Sequence, residues 1–62
     1  MRYFLYRAID GNDYLYKIDK DTVYYMVDNI WVHSRGSTTV KQIAIDNRFR
    51  EITQDEAFLE MV

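Results

Sequence analysis

The ten-residue segment VYYMVDNIWV, residues 23–32, constrains the fold more than any other part of this chain. Aromatic and β-branched residues, which favour strands, lie on both sides of Asp28-Asn29, a dipeptide typical of two-residue turns. The segment therefore predicts two antiparallel strands joined by a tight turn. Its apolar side chains alternate onto both faces of this ribbon, so the fold must cover two faces rather than one.

Turn residues divide the preceding part of the chain into similar units. Asp10-Gly11-Asn12-Asp13 and Asp19-Lys20-Asp21 are turn sequences, because Gly tolerates positive φ and Asp and Asn hydrogen-bond locally to the backbone. Between them, Tyr14, Tyr16 and Ile18 alternate onto one face of a strand. The strands predicted in this way are residues 2–9, 14–18, 22–27 and 30–33. They follow one another as hairpins and predict an antiparallel meander.

The segment after the loop Ser34-Arg35-Gly36-Ser37 is ambiguous. Its β-branched residues favour a fifth strand over residues 38–45, which would end at Asp46-Asn47. A helix is the alternative, because short apolar runs occur in both structures.

A capping box marks the start of a C-terminal helix. In the sequence Thr53-Gln54-Asp55-Glu56, the Thr53 hydroxyl can accept from the Glu56 amide, and the Glu56 carboxylate can accept from the Thr53 amide. Ile52 before the cap can pack against Ala57 as a hydrophobic staple. Two turns of helix are not stable alone, so this helix must pack on the sheet or on another chain. The residues expected on its packed face are Phe58, Met61 and Val62.

These elements define the predicted fold class, which is α+β and mainly β. We expect one small domain over residues 1–62, an antiparallel meander of four to five strands with a short C-terminal helix. A chain of this size buries only about 60% of its unfolded surface, and small domains gain support from disulfides, metals or self-association. The sequence has no cysteine and one histidine, His33. Self-association is the support that remains, so we expect a homodimer.

Composition also predicts the setting of the protein. No apolar run approaches the roughly 20 residues of a membrane helix, and the N-terminal sequence is too charged for a signal peptide. The absence of cysteine fits a reducing compartment. We therefore expect a cytoplasmic protein with no membrane partner.

The leading functional hypothesis concerns the apolar surface of the sheet. One short helix covers only part of one face, so the second face or an edge is expected to contact another copy or a partner protein. The sequence thus favours a non-enzymatic protein-binding module, as a virus-encoded or accessory inhibitor acting by surface occlusion would be. The predicted contact residues are Tyr3, Tyr24, Met26 and Trp31, with Arg48 and Arg50 at the rim.

Two alternatives use the basic segment, residues 34–50, which carries four basic groups against one acidic group, a net charge of +3. The first is single-stranded nucleic-acid binding with nearby tyrosines as stacking platforms. The second is sequestration of a small anionic ligand between subunits by the loop at Arg35. The basic residues of both alternatives are Arg35, Lys41, Arg48 and Arg50. Pairing of this segment with the acidic C-terminal helix is the simpler explanation of the charges.

The sequence offers no catalytic or metal motif. His33 and Ser34 are adjacent, so a strand would direct them to opposite faces and separate a base from its nucleophile. The aspartates at residues 10–13 and 19–21 lack the glycine and glutamate spacing of a calcium loop. We expect no enzymatic activity, no cofactor and no metal.

Overall fold

Five strands and two helices make up the protein in a computed structural model that describes residues 1–36 and 38–61. The strands are β1 (Arg2–Arg7), β2 (Asp13–Asp19), β3 (Thr22–Val27), β4 (Ile30–His33) and β5 (Phe49–Ile52). The helices are α1 (Val40–Ile45) and α2 (Gln54–Met61). The predicted fold class is therefore confirmed, as are the positions of the first four strands to within two residues.

The strands form one antiparallel sheet in the order β4-β3-β2-β1-β5. The first four are a meander, and β5 returns to pair with the free side of β1. Because β4 and β5 both run antiparallel to β1, they run parallel to each other at opposite edges. The chain between them must cross from one edge to the other, a distance of about 19 Å at the usual strand spacing.

Turn chemistry fixes the register of the hairpins as the sequence predicts. Asp28 and Asn29 both adopt positive φ, 52° and 64°, which is the signature of a type I′ turn. Val27 therefore pairs with Ile30 directly across the turn. The longer connection between β1 and β2 contains Gly11 at φ 87°, a value that a residue with a Cβ rarely adopts.

Helix α1 corrects the prediction of a strand over residues 38–45. The Thr39 side chain caps the helix by accepting from the Gln42 amide at 3.1 Å, and Ile43 is its buried residue. Tertiary context outweighs the strand propensity of the β-branched side chains here, because this segment crosses the sheet rather than joining an edge. The only strand after β4 in the described residues begins at Phe49, beyond the Asp46-Asn47 turn.

Helix α2 begins at the predicted capping box. The Glu56 amide donates to Thr53 Oγ1 at 3.1 Å, and the Thr53 amide donates to Glu56 Oε1 at 3.0 Å. Ile52 and Ala57 pack in one cluster, which confirms the staple. Ala57 and Met61 face the sheet, whereas Phe58 is half exposed, so the predicted packed face was wrong for Phe58. Val62 lies outside the described residues.

The two helices lie on opposite faces of the sheet, and each builds its own core. On the α1 face, Ile43 packs against side chains of β1, β2 and β3 that point to that face. The buried cluster is Phe4, Ile18, Val23 and Ile43. On the α2 face, Ala57 packs on Leu15 and Ile52. The expectation of one helix, with one face of the sheet left uncovered, was wrong, because the segment that crosses the sheet forms a second helix, α1.

Within residues 1–36 and 38–61, neither helix approaches the length and apolar character needed to cross a bilayer.

Candidate binding surface

Helix α1 covers only one end of its face and leaves an aromatic surface at the other. We call this surface the tyrosine patch; it consists of Tyr6, Tyr14, Tyr16, Tyr25 and Val27. Strand alternation places all five on the α1 face, because Tyr6 pairs with Tyr14 and Tyr16 pairs with Tyr25. Tyr14 is 42% exposed and Val27 is 43% exposed. The patch forms a shallow depression of about 460 Å³.

The rings of the patch are held by contacts with one another. The Tyr6 ring lies 4.7 Å from Phe49 and 6.0 Å from Tyr16 between centroids, and Tyr16 lies 5.9 Å from Tyr25. Tyr16 also packs against the buried α1 cluster. Burial raises the pKa of the Tyr16 hydroxyl, although a hydrogen bond with Thr38 opposes that shift. The inner ring therefore joins the patch to the core.

One arginine borders the patch, and its charge is already balanced. The Arg48 guanidinium carbon lies 5.3 Å from the Tyr6 ring centroid, within the range of a cation–π contact. The same side chain donates to both carboxylate oxygens of Asp46, at 3.1 and 2.8 Å. The guanidinium lowers the pKa of Asp46 by hydrogen bonding, and the carboxylate raises the pKa of Arg48.

The predicted protein-contact residues lie mostly on the opposite side. Tyr3, Met26 and Trp31 pack against the cluster beneath α2, and the Tyr3 and Trp31 ring centroids are 6.3 Å apart. Tyr24 lies on the same face, with its ring centroid 5.7 Å from that of His33. These four predicted residues thus share one face of the sheet. Their role in binding stays a prediction, and part of their surface is used within the chain.

Of the two arginines predicted for the rim, only Arg50 lies on the same face as those four residues. Arg50 alternates onto the α2 face, opposite Leu5, whereas Arg48 lies beside the tyrosine patch. Both line a shallow cavity of about 340 Å³ with Arg7 and Asp13. Arg7 Nε lies 3.3 Å from Asp13 Oδ1, so this cavity contains acidic as well as basic groups.

The four basic residues of the anion-binding alternatives separate into two pairs. Arg35 and Lys41 line a second cavity, also about 340 Å³, near the start of α1. Arg48 and Arg50 line the first cavity, so no single site gathers all four. Ser37, part of the predicted loop, lies outside the described residues. Binding of nucleic acid or of a small anion therefore stays a prediction.

The residues considered for catalysis have structural contacts. The Ser34 hydroxyl accepts from the Thr38 amide at 2.9 Å and donates to the Thr38 carbonyl at 3.0 Å. These two hydrogen bonds connect Thr38, near the start of the crossing segment, to Ser34 at the end of β4. Within residues 1–36 and 38–61, no three acidic or histidine side chains are grouped as a metal site.

The Lys17 side chain extends across the α2 face between two aromatic rings. Its Nζ lies 4.4 Å from the Trp31 ring centroid and 5.2 Å from that of Tyr24. These cation–π distances explain how a charged side chain fits on a largely apolar face.

Sequence reasoning missed the tyrosine patch because it did not place α1. The sequence signal was the two-residue spacing of Tyr14 and Tyr16 and of Tyr25 and Val27, which puts both members of each pair on one face of a strand. Those residues form an open surface only once the length and position of the covering helix are known.

Comparison with known proteins found no matching family, no matching curated protein and no matching solved structure.

Proposed function

We propose that this chain is a non-enzymatic binding module that uses its tyrosine patch to cover an apolar surface of a partner protein. The observation that carries the proposal is the uncovered end of the α1 face, where four tyrosines and Val27 form one depression. Contiguous exposed apolar surface marks interaction sites in small proteins. Occlusion of a partner is also how a small inhibitor of another protein would act.

Tyrosine suits protein recognition because one side chain offers a large apolar ring and a hydroxyl. Tyr, Trp and Arg are enriched at interfaces and at their energetic hot spots. In the patch, Tyr6 and Tyr16 are packed against each other and against Phe49, whose centroid lies 5.1 Å from that of Tyr16. Rings that are held before binding lose little conformational entropy when the partner arrives.

The charges around the patch favour a protein rather than a nucleic acid. Arg48 is paired with Asp46, Arg7 is paired with Asp13, and the turn residue Asp28 lines the depression. A single-stranded nucleic acid requires uncompensated basic groups along its phosphates. The fitting partner presents protruding apolar side chains and hydrogen-bonding groups for the tyrosine hydroxyls, with little net charge.

Photo-crosslinking from two neighbouring positions tests this proposal. A photoreactive phenylalanine analogue replaces Tyr25 in the patch or, as the control, Tyr24, which alternates onto the opposite face. In cells that make the protein, we expect one specific crosslinked protein from position 25 and not from position 24. Equal yields from both positions would overturn the proposal.

The crosslinked protein is then purified and titrated calorimetrically. We expect Tyr25→Ser and Tyr14→Ser each to weaken binding at least about tenfold, because truncation of a hot-spot residue costs about 2 kcal/mol or more. Tyr24→Ser is the matched control and is expected to bind like the wild type. Unchanged affinity in both patch variants would contradict the proposal. A steep loss of affinity with salt would instead indicate contacts to phosphates.

A further inference from the structure

The two free edges of the sheet differ in their residues. Strand β4 reads Ile-Trp-Val-His and carries no acidic or permanently charged side chain; Ile30 is 64% exposed. Strand β5 reads Phe-Arg-Glu-Ile, and its Glu51 pairs with Arg2 through two hydrogen bonds. Charged residues protect an edge from pairing with another chain, so β4 is the unprotected edge. In the described residues, β3 is the only strand that pairs with β4.

The hydrogen-bonding phase of β4 can be assigned. Val27 and Ile30 flank a two-residue turn, so Ile30 directs its amide and carbonyl toward β3. The Ser34 amide donates to the Val23 carbonyl at 2.9 Å, which shows the same orientation four residues later. Backbone groups alternate along a strand. Trp31 and His33 therefore direct their amides and carbonyls outward, away from the sheet.

Two-fold symmetry then discriminates between the edges. When identical strands pair antiparallel about an axis perpendicular to the sheet, one residue must lie opposite its own copy. At the centre of β5 that residue is Arg50 or Glu51, and like charges directly opposite destabilise a sheet. At the centre of β4 it is Trp31 or Val32, which carry no charge.

From these observations we infer that β4 pairs with β4 of a second copy of this chain, with Val32 on the two-fold axis. In this register Trp31 lies opposite His33 of the second copy, and the reverse. All four outward groups of each strand then find a partner, giving four hydrogen bonds across the axis. A register centred on Trp31 would place His33 opposite Asn29, outside the strand.

The resulting dimer contains one ten-stranded sheet. A two-fold axis perpendicular to the sheet keeps each face on its own side, so the two tyrosine patches lie on the same side. Val32 meets its copy there, beside Tyr25, with which it pairs within the chain. The dimer stands on the β4 edge alone, so it does not depend on what the patches bind.

A proline at position 33 tests the dimer. Because the His33 amide points outward, His33→Pro removes the intermolecular donor while the ladder with β3 keeps its bonds. His33→Thr, which keeps the amide, is the matched control. In sedimentation across concentration, we expect the wild type and His33→Thr to dimerise and His33→Pro to dissociate at least about tenfold more readily. A wild-type monomer at millimolar concentration would overturn the inference, as would an undiminished dimer of a folded His33→Pro variant.

Single cysteines test the register, because the natural chain has none. In the proposed register the two Val32 Cα atoms lie about 4.5 Å apart, within disulfide range. The two Ile30 Cα atoms lie about 14 Å apart along the strands and cannot be bridged. Under mild oxidation we expect Val32→Cys to form a covalent dimer much faster than Ile30→Cys. Equal rates, or faster crosslinking of Trp31→Cys, would overturn the register.

Discussion

The two faces of this sheet are covered unequally. Helix α2 has eight residues and a reciprocal pair of capping hydrogen bonds, and its Ala57 packs in a buried cluster with Leu15 and Ile52. Helix α1 has six residues and one side-chain capping hydrogen bond, which the Thr39 hydroxyl accepts from the Gln42 amide. At 1.5 Å per residue these helices are about 12 and 9 Å long. On the α1 face, the depression of the tyrosine patch stays open.

The exposed surface follows from where the crossing segment places α1. Ile43 packs with Phe4, Ile18 and Val23, whereas the depression of the tyrosine patch is lined by residues of β1, β2 and β3 and by the turn residue Asp28. The apolar residues of β1, β2 and β3 are similar on both faces, so sequence alternation alone does not distinguish the covered end from the open one.

The largest effect is expected from removing a buried ring of the α1 face. Phe4→Ala is expected to lower the free energy of unfolding by about 3–5 kcal/mol, because Phe4 belongs to the buried cluster of that face. A domain of this size has a total stability of the same order, so the variant should be largely unfolded. Urea titration followed by circular dichroism measures the loss.

Tyr6→Ala is the matched control for Phe4→Ala, two residues along the same strand and on the same face. Its half-buried ring is expected to contribute clearly less. If both variants lost the same stability, the patch would belong to the core and not to the surface.

A smaller effect is expected from overfilling the contact beneath α2. The exposed fraction of Ala57 is 0%, so Ala57→Leu forces added methylene groups against Leu15 and Ile52. We expect a loss of about 1–3 kcal/mol in the free energy of unfolding. Ala44→Leu, at an exposed position of α1, is the control and is expected to change little. Equal effects in a thermal melt would mean that α2 is no more tightly packed than α1.

Removing the N-cap hydroxyls of the two helices is expected to give a smaller difference in the free energy of unfolding. Thr53→Ala removes the hydroxyl from a reciprocal capping box and is expected to cost about 1–2 kcal/mol. Thr39→Ala removes a single hydrogen bond to the Gln42 amide and is expected to cost about 0.5–1 kcal/mol. Chemical denaturation of the two variants in parallel gives the difference. A larger loss at Thr39 would reverse the proposed order of helix stability.

The smallest effect concerns the stability that the Glu56 carboxylate contributes, and its loss at low pH. The hydrogen bond from the Thr53 amide holds the pKa of Glu56 below its ordinary value, although burial opposes this. Its stabilisation is therefore complete above the pKa of the unfolded carboxyl and is lost as pH falls through the lower folded pKa. We expect the wild type to exceed Glu56→Gln in stability near neutral pH, and the advantage to vanish in acid. A pH-independent difference in thermal melts would contradict this.

The sequence predicted the hairpins and the capping box because local chemistry determines both. Asp28-Asn29 suits positive φ at two successive residues, and Thr53 with Glu56 can bond only in a helical first turn. For residues 38–45 the sequence favours a strand and leaves a helix as the alternative, because β-branched residues favour strands and only the crossing of the sheet outweighs them. The tyrosine patch was missed for the same reason. Three of the predicted contact residues, Tyr3, Met26 and Trp31, are partly buried against the cluster beneath α2.

Strand β1 divides its side chains between the two cores. Phe4 packs in the cluster of α1, while its neighbours Tyr3 and Leu5 pack against the cluster of α2. Inserting or deleting one residue within this strand would send each side chain beyond that point to the wrong layer. We therefore expect insertions and deletions in homologous chains to concentrate in the connection around Gly11, where the backbone lies outside the sheet.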